Sequence, residues 1–186
     1  AAAMLPKRPE KIGFSIDLGG LAIISSEVNK KVKNAIALIE SYGVNIHRGC
    51  PDFSDAEESF RGLRAAQFAG MWAHVLHKSR DLLKPEVVLN IEQGLNLDAL
   101  EIARAELKRH KIRTDLLNYL EKHDFFVLPA APVVPNPAEE RFVRNIDGVA
   151  MKDYLDWLIL GYIVSLSGCP AISVPCGLSE EGLPVG

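Results

Sequence analysis

The residues of this chain with reactive side chains are three cysteines, five histidines and a scatter of serines. Cys50, Cys169 and Cys176 are odd in number and lack C-x-x-C spacing, which argues against a disulfide framework or a structural zinc site. A cysteine nucleophile needs a histidine beside it, and the nearest upstream of Cys169, His123, is far off in sequence, so these read as small buried thiols. His74 and His77 lie one helical turn apart. With no carboxylate or thiol at ligand spacing they read as surface positions, and no metal or other cofactor is expected. Ser173 would need glycines two residues away on both sides to form a nucleophile elbow, and Ala171 and Pro175 stand there instead. Gly19-Gly20 follows a strand-like run but lacks the G-x-G-x-x-G spacing of a phosphate cradle, and Ser25-Ser26 reads as a helix start.

The elements that hold these residues follow from hydrophobic periodicity. Ile12–Ile16 predicts a strand and Asp17–Gly20 a turn. Ser25 caps a helix whose apolar positions are Val28, Val32, Ile36 and Ile39, and Gly43 closes it before a strand at Val44–His47. This β-α-β unit implies a parallel crossover. Ser54-Asp55-Ala56-Glu57 predicts a capping box and a helix to about His77, with Phe60, Leu63, Phe68, Met71, Trp72 and Leu76 on one apolar face. Pro85 opens a helix ending at Gly94. Asp98 opens the longest one, to about His123, with Leu100, Ala103, Leu107, Ile112, Leu116 and Leu120 inward and Arg104, Lys108, Lys111 and Asp115 toward water.

Phe125–Leu128 predicts a strand covered on both faces. Pro129, Pro132, Pro135 and Pro137 make the loop after it too stiff for a helix, and such a loop crosses the surface or lines a cleft. Asp147-Gly148 predicts a turn, and Val149–Ser167 a helix carrying Tyr154, Trp157 and Tyr162. Gly168 and Pro170 stop it, Ala171–Val174 predicts a buried strand, Ser179–Gly182 a turn and Leu183–Val185 a last strand.

Short apolar strands alternating with long helices specify an α/β protein with helices on both faces of a mostly parallel sheet. At 186 residues and 48% hydrophobic content the chain suits one core. Residues 1–11 are expected to be a disordered or added start. A net charge of −3 with interleaved signs gives no reason to expect a nucleic acid or an anionic membrane as partner. No apolar run reaches the ~20 residues of a membrane span, and the start Ala1-Ala2-Ala3-Met4 is not a signal peptide, so a soluble, cytoplasmic protein is expected.

The order G-x-P-A-x-S-x-P-x-G (Gly168–Gly177), then G-L-P-V-G (Gly182–Gly186), resembles the carboxy-terminal half of the amidase signature family of amide hydrolases. The I-G-F-S-I-D-L-G-G run at Ile12–Gly20 with Glu27-Val28, L-K-P-E-V at Leu83–Val87 and D-F-F-V-L-P-A-A-P at Asp124–Pro132 agree in order. The resemblance implies a three-layer α/β/α fold with a mixed, mostly parallel sheet, shared between two halves and present here in part, over residues 12–186. An open sheet edge at Leu183–Val185 would favour self-association, a homodimer included.

The family's catalysis is implied to rest on a serine nucleophile, a second serine in a cis peptide and a lysine, the serines lying in a Gly/Ser-rich segment. No such segment occurs in these 186 residues. The expectation is therefore a part of an amidase for a small-molecule amide, inactive alone, that supplies sheet, helical cover and part of the substrate pocket. Some relatives, the amidotransferase subunits that work with a tRNA-binding partner, are implied to grip an amino acid with an arginine and an aspartate from this half. Asn90 stands near the arginine position and Leu158 at the aspartate position, with Asp156 two residues off, which favours a less polar amide. Asn90, Tyr154 and Trp157 are the candidate pocket residues. The alternatives are such an amidotransferase component, or a non-catalytic α/β module that binds a small ligand.

Overall fold

The architecture is organised on a parallel sheet in the order β2-β1-β3, formed by β1 (Lys11–Phe14), β2 (Asn45–Arg48) and β3 (Phe125–Val127). This computed structural model describes residues 8–186; the expected extra start lies largely outside the described residues. The Glu10 and Lys11 N–H groups donate to the Asp124 carboxylate at 2.8 and 2.9 Å, which fixes where β1 starts beside β3.

Helix α1 (Ser26–Ser41) joins β1 to β2 and covers one face of the sheet. The Ser25 hydroxyl accepts the Val28 N–H as an N-cap, and Val28, Val32 and Ile36, spaced to share one side, pack on Ile12, Phe14 and Ile46. The other face is covered by α2 (Ala56–Ser79), α4 (Ala99–Leu120) and α5 (Ile159–Ser167), whose Ala56, Ile112, Leu116, Leu160 and Ile163 form the larger core with Leu18 and Phe53. Helix α3 (Pro85–Asn96) lies against α2. These are the three expected α/β/α layers. Two short antiparallel pairs, β4 (Asn145–Ile146) with β5 (Val149–Ala150) and β6 (Gly177–Leu178) with β7 (Pro184–Val185), make the strand content mixed.

Several local expectations are corrected. Ser54 does not cap α2: its N–H donates to Asp52, and Asp55 at the cap position makes no side-chain bond to the helix start, its carboxylate lying 3.5 Å from the Lys108 ammonium. The capping box forms instead at α4, where Asp98 and Glu101 exchange bonds of 2.7 and 2.8 Å. Helix α2, at 24 residues, is longer than α4 at 22. Gly94 does not end α3 but lies inside it, pressed against α2. On α4 the inward side is Ala105, Ile112 and Leu116, while Leu100, Ala103 and Leu107 are exposed, because the face that meets α2 and α5 is rotated from the most apolar stripe of the sequence. Met71 and Trp72 of α2 are likewise exposed.

The helix expected from Val149 starts only at Ile159: Asp147-Gly148 turns β4 into β5, and a 3-10 turn at Asp156–Leu158 leads into α5. The αL residue Gly168 closes α5 as expected. β3 is an edge strand with Phe125 exposed rather than a strand covered on both faces. Ala171–Val174 is no strand: Ile172 is 86% exposed and Val174 60%, since among the described residues no strand is there to pair with it. Residues 176–186 are nonetheless fastened. Val185 is buried in the α1-side core, the Ala130 N–H donates to the Gly186 carbonyl at 2.9 Å, and the Cys176 N–H to that of Val185 at 2.8 Å.

Candidate functional site: a polar cluster on α2 and α3 and a proline-rich cleft

Two of the three candidate pocket residues meet. Asn90 of α3 is buried, and its Nδ2 donates to the Glu86 carbonyl at 2.5 Å and to the Tyr154 hydroxyl at 2.6 Å. The Glu86 carbonyl can only accept, so the atom facing it is the amide nitrogen. Arg64 of α2 donates through Nε to the same Tyr154 oxygen at 3.1 Å, with its guanidinium 4.5 Å from the Phe68 ring centroid, 5.7 Å from that of Tyr154 and 5.8 Å from that of Phe60.

One turn earlier Arg61 forks onto Asp153 with bonds of 2.7 and 3.1 Å and also holds Glu57 at 2.9 Å. Burial pushes the Asp153 carboxyl up, but the Arg61 bonds and the Leu155 N–H outweigh it and hold it below its ordinary range. A carboxylate with a depressed folded-state pKa contributes stability that is present above the unfolded value of about 4 and is lost as pH falls. Replacing Asp153 by asparagine is therefore expected to reduce stability at pH 7 and to flatten its decline between about pH 5 and 3, read from urea unfolding midpoints across that range.

Trp157 stands apart from this cluster. It packs on the small core of Val143, Ile146 and Met151, with its indole N–H buried and without an acceptor among the described residues. It also lines a cleft of about 440 Å³ walled by the proline-rich loop (Ala130, Val133 and Pro135 among others), Ser173, Pro175 and the β7 end. The loop thus lines a cleft. A second cleft of about 460 Å³ opens at the carboxy ends of β1 and β2, but there Arg48 is committed to Glu40 through two bonds of 3.1 and 2.8 Å.

Burial raises the Cys50 and Cys176 thiols above their ordinary value, which keeps them protonated at neutral pH and poor as nucleophiles. Arg61, Arg64 and Asp153 join the site without being singled out by the sequence. The Glu57–Arg61 spacing of four on one helix is the available signal, masked there by Phe60 and Phe68, which read as an apolar face.

No helix among the described residues is long and apolar enough to cross a membrane. A partial α/β/α sheet with a cleft at its proline-rich loop defines a class of layered α/β proteins. Within that class the Amidase family model matches residues 3–186, and the chain belongs to that family. It is 24% identical over 186 residues to the acylamidase of Rhodococcus erythropolis, covering 95% of this chain and 37% of that one. It is 30% identical over 189 residues to a glutamyl-tRNA(Gln) amidotransferase component of Synechococcus sp. strain CC9902, covering 88% of this chain and 37% of that one. The chain thus spans under two fifths of the length of these relatives.

Among solved structures, an amidase superposes with a TM-score of 0.84 at 20% identity, over 97% of this chain and 41% of that one. A bacterial aryl acylamidase of the amidase signature family superposes with a TM-score of 0.79 at 18% identity, over 96% and 39%. At those identities the likeness establishes the fold.

Proposed function

We propose that this chain is the pocket-bearing part of an amide hydrolase that converts a carboxamide to a carboxylate and ammonia or an amine. The observation that carries this reading is the cleft in which the proline-rich loop, Ser173 and Pro175, which belong to the family-like motifs or adjoin them, come together with Trp157. In such an enzyme a serine oxygen attacks the amide carbon, and the second serine and the lysine take its proton and pass one to the departing nitrogen. Water then releases the acid from the acyl-serine. The Gly/Ser-rich segment that would carry the two serines does not occur in these 186 residues, so the chain by itself is expected to turn over no amide.

The test is ammonia and amine release by the 186-residue chain from acetamide, benzamide and acetanilide, with a serine-reactive probe as control. No release above buffer is expected; release that the probe abolishes would overturn the reading of inactivity. In a protein joining this chain to a Gly/Ser-rich segment, Trp157→Ala is expected to raise KM about tenfold with a smaller change in kcat, as loss of uniform binding does. An unchanged KM would remove Trp157 from the pocket.

A second reading, part of a tRNA-dependent amidotransferase, is favoured by the 30% identity to the Synechococcus protein. The residues Asn90 and Leu158, at the positions where a charged pair is implied, weigh against it. Release of ammonia from glutamine in preference to benzamide by that joined protein would decide for it.

A further inference from the structure

The hydrogen-bond inventory at Tyr154 leaves its proton without a destination inside the chain. The phenol oxygen has two lone pairs, and both are taken, one by the Asn90 amide at 2.6 Å and the other by the Arg64 Nε–H at 3.1 Å. Neither group can accept in return, because an arginine has no acceptor and the Asn90 nitrogen is fixed by the Glu86 carbonyl. The Tyr154 O–H must point away from both, and no acceptor among the described residues receives it.

Arg64 is equally open. Its Nε is used, while its two Nη groups form the end-on fork that matches a carboxylate, and no carboxylate among the described residues pairs with it. The acids of the neighbourhood are committed elsewhere: Asp153 and Glu57 to Arg61, and Glu86 to Arg141. An uncompensated cation is held against the Phe68 and Tyr154 rings, where an apolar frame strengthens its field.

We infer that Arg64 and Tyr154 form a receptor for the carboxylate of a small ligand, with the Arg64 fork taking the two oxygens and the Tyr154 hydroxyl donating to one. Asn90 is a positioning residue, since it sets the direction of the Tyr154 proton. The receptor does not depend on the hydrolase reading and is tested by binding alone, without turnover.

The probe is sodium benzoate, titrated into the 186-residue chain at constant ionic strength while the arginine side-chain Nε–Hε resonances are followed by NMR. Arg64→Lys assigns the Arg64 signal by its disappearance. A saturable shift of that signal is expected, with Kd in the range of about 1–10 mM. In the variants, which lack that signal, binding is read from saturation-transfer signals of benzoate itself: Arg64→Gln should weaken benzoate binding at least tenfold, and Arg64→Lys several-fold, since a point charge cannot fork. Benzamide, the neutral isostere, should bind at least tenfold more weakly than benzoate. A still signal up to high benzoate, an equal response to benzamide or sodium chloride, or unchanged affinity in Arg64→Gln would each overturn the receptor.

Discussion

Replacing Gly94 by alanine is expected to cost the protein about 3 kcal/mol or more and to lower its thermal midpoint by roughly 10 °C. In an exposed helix interior the same change would stabilise by about 1 kcal/mol. Here the sign reverses because α3 lies directly on α2: a Cβ on Gly94 would overlap the Ala65 carbonyl oxygen, stand 2.5 Å from the Ala65 carbonyl carbon and 2.8 Å from the Ala69 Cβ. The obstacle is mainly helix backbone, which cannot rotate aside, so the two helices must separate along their length. Trimming the neighbouring side chain by Ala69→Gly should therefore fail to rescue Gly94→Ala. Denaturant melts of the single and double variants decide it, and a rescue within ~0.5 kcal/mol of Ala69→Gly alone would show that side chains set the spacing.

Gly13 presents the opposite case. It sits mid-strand in β1, between β2 and β3, where glycine is a poor choice unless something approaches closely. What approaches is the Tyr119 ring of α4, whose Cζ would lie 2.7 Å from an added Cβ. The ring cannot simply move. Its hydroxyl donates to the Gly49 carbonyl at 3.0 Å, its face stacks on His123 with centroids 4.1 Å apart, and its edge meets Phe126. His123 donates Nδ1–H to the Tyr119 carbonyl and its Nε2 accepts from His47 of β2, so the ring is braced by a chain of contacts back to the sheet. Gly13→Ala is expected to lose about 2–3 kcal/mol. Because the obstacle is a side chain, Gly13→Ala with Tyr119→Ala should be more stable than the sum of the two losses implies, with a coupling of at least ~1 kcal/mol. Strict additivity would mean that Gly13 is required for the backbone of β1 and not for the ring.

The contrast between these glycines shows what the sequence can and cannot disclose. The β-α-β start, the Ser25 cap, the Gly168 stop and the layered class are legible because each depends on neighbours a few residues away. Gly94 reads as a helix end, since a glycine after Val88 and Ile91 looks the same whether it stops a helix or admits another one. Ala171–Val174 has strand composition but no pairing partner among the described residues, and composition cannot supply one. At the site, Asn90 and Tyr154 are each legible as candidates, but not as a pair. They stand 64 residues apart in the chain, and their meeting with each other and with Arg64 is a product of tertiary packing, on which no periodicity speaks.

The burial of Val185 in the core that β1, α1 and β2 share sets an order of events for the growing chain. Emerging from a ribosome from its amino end, the polypeptide could pair β1 with β2 and lay α1 over them early, since those contacts are near in sequence. The place in that core which Val185 fills would stay vacant while the stretch from Arg48 to Val185 was made, roughly 7–30 s at about 5–20 residues per second. During that interval this core would show part of its apolar surface to whatever else is in the cell. A chaperone able to hold the β1–α1–β2 face would have its opportunity then, and the arrival of β7 would dismiss it.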